Sequence, residues 1–177
     1  MNRHGIIPGP ELPLFSDSVP TFQAIADIAL PSAHTILFLA VDARGIPSDA
    51  VGRIAGRLLA SGLIWVCVWG PDCERIHDIF DEVHVGDGLT EPGFTLMSTW
   101  HDDETLEEAL GFFVDCARPV EVGLSSTSFL ALTVGNPGWE ADVRHHLAEA
   151  ARPVPDPAGE PEVKTAMDKE CPPDRTS

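Results

Sequence analysis

The sequence predicts an α/β fold, a three-layer sandwich with a mainly parallel sheet of four or five strands between helices. Three observations carry this. Residues 63–69, LIWVCVW, form an apolar run that breaks at Gly70-Pro71 and restarts as an acidic helix opening. Residues 35–41, TILFLAV, repeat the pattern. Both runs are apolar on both pleat faces, as a strand covered on both sides must be. The third observation is the alternation of strand and helix signals with short joints, which implies parallel pairing through right-handed crossovers. A flavodoxin-like or Rossmann-like arrangement follows.

In chain order, residues 1–17 are proline-rich and are expected to be an extended arm. Ser18 is placed to cap a short helix over 19–30, with Phe22, Ile25, Ala26 and Ala29 on one face and Pro31 as the stop. After the 35–41 strand, Pro47-Ser48 starts a helix striped by Val51, Ile54, Ala55, Leu58 and Leu59, and Gly62 ends it. The 63–69 strand feeds a helix from residue 72 to about 82, with Ile76, Ile79, Phe80 and Val83 on one face. Residues 83–85 could add a small strand, 86–93 read as a loop, and 94–99, FTLMST, as a further strand. The next helix carries Leu106, Ala109, Leu110, Phe113 and Ala117 on one side; Thr105 with Glu108 forms a capping-box pattern, and Pro119 closes it. Residues 129–134 are the last strand. Asn136-Pro137 then opens a helix over about 138–151, with the proline at its first position. Residues 153–177, rich in proline and polar groups, are expected to be a disordered tail, leaving 18–152 as one domain.

Composition narrows the function. A net charge of −17 over 177 residues argues against gripping nucleic acid phosphates or an anionic membrane surface. It suits a basic protein partner, a cation or a high-salt cytoplasm. Cys67, Cys73, Cys116 and Cys171 have no C-x-x-C spacing and do not read as a disulfide framework, and the prolines near the start interrupt any signal-peptide run. A cytoplasmic setting is the expectation.

In such a sheet, ligands meet the carboxyl ends of the strands. Those ends supply Asp42 and Arg44, then Trp69, Asp72, Cys73 and Glu74, then Trp100, His101, Asp102, Asp103 and Glu104, and finally Asn136. Asp42, Arg44, Trp69, Asp72, Trp100, Asp103 and Asn136 are the expected binding residues. Cys73, His101 and Asp102 are the catalytic candidates. Cys73 sits at a helix start, where the dipole favours a thiolate by about 0.3–1 kcal/mol. Repulsion from Asp72 and Glu74, each about 1 kcal/mol at contact distance in water, offsets that. Cys73 and His77, one helical turn apart, are a two-ligand candidate for a metal, short of the three or four a zinc site takes. The acids at 102–104 have a simpler role available as helix-start carboxylates.

Missing residues exclude more. Both lysines, Lys164 and Lys169, lie in the tail, so no phosphate loop of the Walker type can form, and no Gly-x-Gly-x-x-Gly follows a strand. There is no tyrosine and no Gly-x-Ser-x-Gly elbow. No cofactor is therefore expected. The segments Trp69-Gly-Pro-Asp-Cys73 and Thr99-Trp-His-Asp-Asp-Glu104 resemble those of an uncharacterised family of small bacterial α/β proteins, over roughly residues 35–134. The resemblance implies an α/β fold and assigns no activity or site residue. The expected function is a non-catalytic module that binds a protein or small molecule at its acidic rim; the alternative is an enzyme, hydrolase-like, using carboxylates with His101 and Cys73. The binding reading places Asp42, Cys73, His101 and Asp102 around one crevice beside Trp69 and Trp100.

Overall fold

The computed structural model describes residues 1–7, 11–86, 95–118 and 126–152. The loop expected within 87–93, the Pro119 stop and the 153–177 tail lie outside the described residues. Six strands form one sheet: β1 (Asn2–Ile7), β2 (Leu12–Val19), β3 (His34–Ala40), β4 (Leu63–Trp69), β5 (Met97–His101) and β6 (Thr127–Val134). Their order is β1-β2-β6-β3-β4-β5. Only β1, antiparallel to β2, breaks the parallel arrangement.

The sheet is wider than the four or five strands expected, because residues 1–17 are not a loose arm. They supply β1 and most of β2. Pro13 is tolerated because β2 begins pairing with β6 only at Leu14, so its missing N–H removes no bond of that ladder. Ser18 consequently lies inside β2 and caps nothing. The expected helix is a single short 3-10 segment, Phe22–Asp27, whose cap residue Thr21 makes no side-chain cap bond.

Helices α1 (Ser48–Ala60) and α2 (Cys73–Val85) cover one sheet face, with the 3-10 segment. Helices α3 (Leu106–Asp115) and α4 (Pro137–Ala150) cover the other. The α1 stripe buries Val51, Ile54, Ala55 and Leu58 against Leu37, Leu39, Val66 and Val68. On the far face, Phe113 meets Phe38 and Phe129 at ring-centroid distances of 5.5 and 5.1 Å. Residues 83–85 are the last turn of α2, not a strand. Val83 continues that helix's apolar face, and this packing outweighs the β-branched propensity of Val-His-Val. The capping box at Thr105 is fully formed: Thr105 Oγ1 accepts from the Glu108 N–H at 3.2 Å and the Thr105 N–H donates to Glu108 at 2.9 Å. Asn136 caps α4 by accepting from the Gly138 and Trp139 N–H groups.

Candidate functional site

The carboxyl ends of β2 to β6 share one rim, and tight backbone turns bring those of β3 and β4 together. Gly70, at φ +114°, passes Val41 so closely that a Cβ there would lie 2.4 Å from the Val41 oxygen. The Val41 N–H donates to Trp69 O at 3.0 Å and the Ala43 N–H to Pro71 O at 2.9 Å, tying the β3 exit to the β4 exit. Arg75 completes the tie: its guanidinium reaches Asp72 at 2.8 Å and the Ala43 carbonyl at 2.7 Å. Asp42 pairs with Arg44 at 2.6 Å, and the Arg44 guanidinium holds the carboxyl below its usual range. Asp42, Arg44 and Asp72 are thus neighbours, each engaged by an arginine or a carboxylate.

The two tryptophans are not neighbours. A strand sends successive side chains to opposite faces, and that alternation divides the expected crevice. Trp69 faces the α3/α4 side, stacked edge-on against Trp139 at 5.0 Å, with its Nε1–H donating to the Glu104 carbonyl at 2.9 Å. Trp100 faces the α2 side, 4.6 Å from the His77 ring, and remains 44% exposed.

The strand that ends at His101 begins later than the sequence suggests, at Met97 rather than residue 94. Trp100 and His101 are therefore strand residues, in register with Val68 and Trp69, and only Asp102 onward forms the rim. The His101 ring turns to the α3 side and is buried among Thr99, Glu104 and Phe112. Its Nδ1 lies 2.9 Å from the Glu104 carboxylate. In the tautomer whose Nδ1–H donates to that carboxylate, Nε2 accepts from the Thr99 hydroxyl at 3.1 Å.

Cys73 does not meet this ring. Its side chain is wholly buried in the α1/α2 core, on the other face of the sheet, and the groups that bond it are backbone N–H groups, those of His101, Cys73 and Glu74. Burial pushes the thiol up from its ordinary value, and the Asp102 charge adds to that. A neutral, enclosed thiol is a poor nucleophile, so the expected Cys73–His101 pair is not formed. The Cys73–His77 metal pair fails for a related reason. His77 lies at 3.1 Å from Asp78 and 3.5 Å from Asp81, and stacks on Trp100. Among the described residues no group of three His, Cys, Asp or Glu side chains is arranged to hold a metal.

The crevice therefore separates into distinct places. Asp42, Arg44 and Asp72 line the β3/β4 exits. Trp100, Asp102 and Asp103 lie along and beyond β5. Asn136 borders a cleft of about 390 Å³ at the β2 and β6 ends, with Ser18, Val19, Pro20 and Glu140. The sequence does not signal this cleft, because Ser18 reads there as a helix cap. A second groove, about 260 Å³, is lined by Ser98, Thr99, Trp100, His101, Glu104 and Phe112.

Two solution properties follow from the charge of the sequence and from burial in the sheet. Between residues 72 and 108 the acids Asp72, Glu74, Asp78, Asp81, Glu82, Asp87, Glu91, Asp102, Asp103, Glu104, Glu107 and Glu108 face Arg75 as the only Lys or Arg. Like charges repel over a screening length of about 8 Å at ~0.15 M salt. Urea midpoints should therefore rise as sodium chloride goes from a few millimolar to that level; a falling midpoint would mean that ion pairs outweigh the repulsion.

The second property concerns alkali. Cys67, buried between β3 and β5, has its thiol pushed up by desolvation to about 12. An unfolded thiol loses its proton near pH ~8.5. Above that, the unfolded chain gains free energy while the folded thiol stays protonated, so stability should fall from about pH 8.5 until the folded value near 12 is passed. With no tyrosine in the chain, the thiols dominate this window. Denaturant melts at rising pH should show the fall, and Cys67→Ala should make it shallower. An equally steep fall in that variant would assign it elsewhere.

A six-stranded, mostly parallel α/β sheet with an acidic carboxyl rim is the class of protein this defines. The chain belongs to the DUF7684 family, a domain of unknown function, whose sequence model matches residues 15–150. No curated protein and no solved structure matches it. No helix among the described residues is long and apolar enough to cross a membrane.

Proposed function

We propose that this chain is a non-catalytic binding module of flavodoxin-like or Rossmann-like architecture, working in a bacterial cytoplasm and taking a basic protein partner at its acidic carboxyl-end rim. One observation carries the reading: a large aromatic, Trp100, stays open to solvent beside carboxylates, while the candidate nucleophile Cys73 is enclosed and neutral. Open tryptophan among acids suits lysine and arginine, through ion pairing and through attraction of a cation to the ring face. Asp102 and Asp103, both exposed at the end of β5, extend the same negative field.

The test is fluorescence anisotropy with labelled oligolysine and oligoglutamate at low and moderate salt. Oligolysine should bind, more weakly as salt rises, and the double variant Asp102→Lys, Asp103→Lys should weaken it. Absence of oligolysine binding, or equal binding of oligoglutamate, overturns the reading.

A second reading, hydrolase-like chemistry through a carboxylate and His101, is favoured by the Thr99–His101–Glu104 hydrogen-bonded series beside a groove. It is the arrangement in which a hydroxyl, a base and an orienting acid act together. A panel of nitrophenyl esters decides it: turnover lost in His101→Gln supports it, and no turnover above buffer removes it.

A further inference from the structure

The two edges of the sheet are finished differently. At the β1 edge, Arg152 closes the ladder: the Ile6 N–H donates to Arg152 O and the Arg152 N–H to Ile6 O, each at 3.0 Å. At the other edge β5 pairs with β4 alone, and among the described residues no further strand pairs with the outward backbone groups of Met97–His101. An unpaired row of N–H and C=O groups is a template for one more strand. The 260 Å³ groove runs along this row, since four of its lining residues, Ser98 to His101, are successive positions of β5.

We infer that β5 is the docking edge, and that its occupant is an extended basic segment of a partner protein added as a seventh strand. This rests on the binding reading above and specifies its geometry. The occupant's charge follows from what flanks the edge. On the α2 side stand Asp78 and Asp81, the latter holding Ser98 Oγ at 2.6 Å. Beyond the strand's end stand Asp102, Asp103 and Glu104. The nearby cation Arg75 is already committed to Asp72 and Ala43. An added strand would supply main-chain bonds for affinity, with alternate side chains for selectivity. On the α2 side, Trp100 would present its ring to a lysine or arginine.

The probe is a short acetylated, amidated peptide alternating lysine with valine, compared with two isomers N-methylated on alternate residues. In a strand, successive N–H groups point to opposite sides, so one isomer loses the groups facing β5 and the other keeps them. Calorimetric titration of the full chain should show one isomer weakened at least ~10-fold and the other within ~3-fold of the parent. The amides of Met97–His101 should gain protection from hydrogen exchange with the parent peptide bound. Equal behaviour of the two isomers, whether both bind or both fail, overturns edge docking and leaves the acidic-rim reading standing. Failure of the parent peptide itself removes both.

Discussion

Phe113→Ala should lower stability by ~3–5 kcal/mol, the cost of emptying an aromatic site in a core that cannot collapse around it. Phe113 is completely buried on α3, in contact with Phe38 of β3 and Phe129 of β6. Those strands are adjacent at the centre of the sheet, so the void would open under its middle. The ring pairs themselves add to the loss, since tilted aromatic contacts contribute ~0.5–1.5 kcal/mol beyond their area. In a chain of this size each kcal/mol moves the melting temperature by roughly 2–4 °C, so calorimetry should find the variant melting at least ~6 °C lower. Phe113→Leu, which keeps most of the volume, should cost less than half as much. A loss below ~1 kcal/mol for the alanine variant would mean that α3 repacks freely and that the aromatic cluster does not fix its position on the sheet.

What the sequence made legible follows from punctuation and period. The strand at Leu63–Trp69 could be read to the residue because glycines stand on either side of it and every position between is apolar. Helix α3 announced itself by a capping box and an apolar stripe, and both are present. The first two strands were hidden. Pro8, Pro10 and Pro13 speak for loose chain, and in β2 the apolar Leu14 and Phe15 run into the polar Ser16, Asp17 and Ser18 with no alternation to mark a strand. Their burial depends on partners far away in sequence: β2 is held by β6, and Ser16 by His4, at 2.7 Å. Propensity contains none of that.

The site was half legible for a related reason. Asp42, Asp72 and Asp102 each follow the carboxyl end of a parallel strand, and the carboxyl ends of parallel strands must lie together. Side-chain direction is out of reach while residues 100 and 101 read as loop. A period of two assigns Trp100 and His101 to opposite faces only if both are in the strand, and it was pairing with Val68 and Trp69 that put them there. That one displacement in the position of β5 separates a shared crevice from an exposed tryptophan on one side and a buried histidine on the other.

Gly62→Ala should be as damaging as the loss of the aromatic ring, for a reason that lies wholly in the backbone. Gly62 joins α1 to β4 with φ +99°, a conformation that side chains rarely adopt, and a Cβ there would sit 1.9 Å from the Ala33 carbonyl oxygen. No rotamer change relieves a clash with backbone. Either the 33–35 segment moves, or the turn does, and both moves break the bond from the Thr35 N–H to Gly62 O at 2.9 Å. That bond sits where β3 begins its pairing with β4, so the disturbance enters the middle of the sheet. Strain of ~1–3 kcal/mol at the φ angle, with ~1–3 kcal/mol of overpacking, gives a combined loss of about 2–6 kcal/mol. Gly111 supplies the opposite sign. It lies within α3, and a Cβ built on it meets nothing within 4 Å. Gly111→Ala should therefore stabilise by ~0.5–1 kcal/mol, as alanine does in a helix interior. Measured side by side in urea, the two methyl groups should move the midpoint in opposite directions. If Gly62→Ala cost no more than ~1 kcal/mol, the turn would have to reach a negative φ without disturbing Ala33, and the close approach that joins α1, β3 and β4 would not be fixing the start of the central strands.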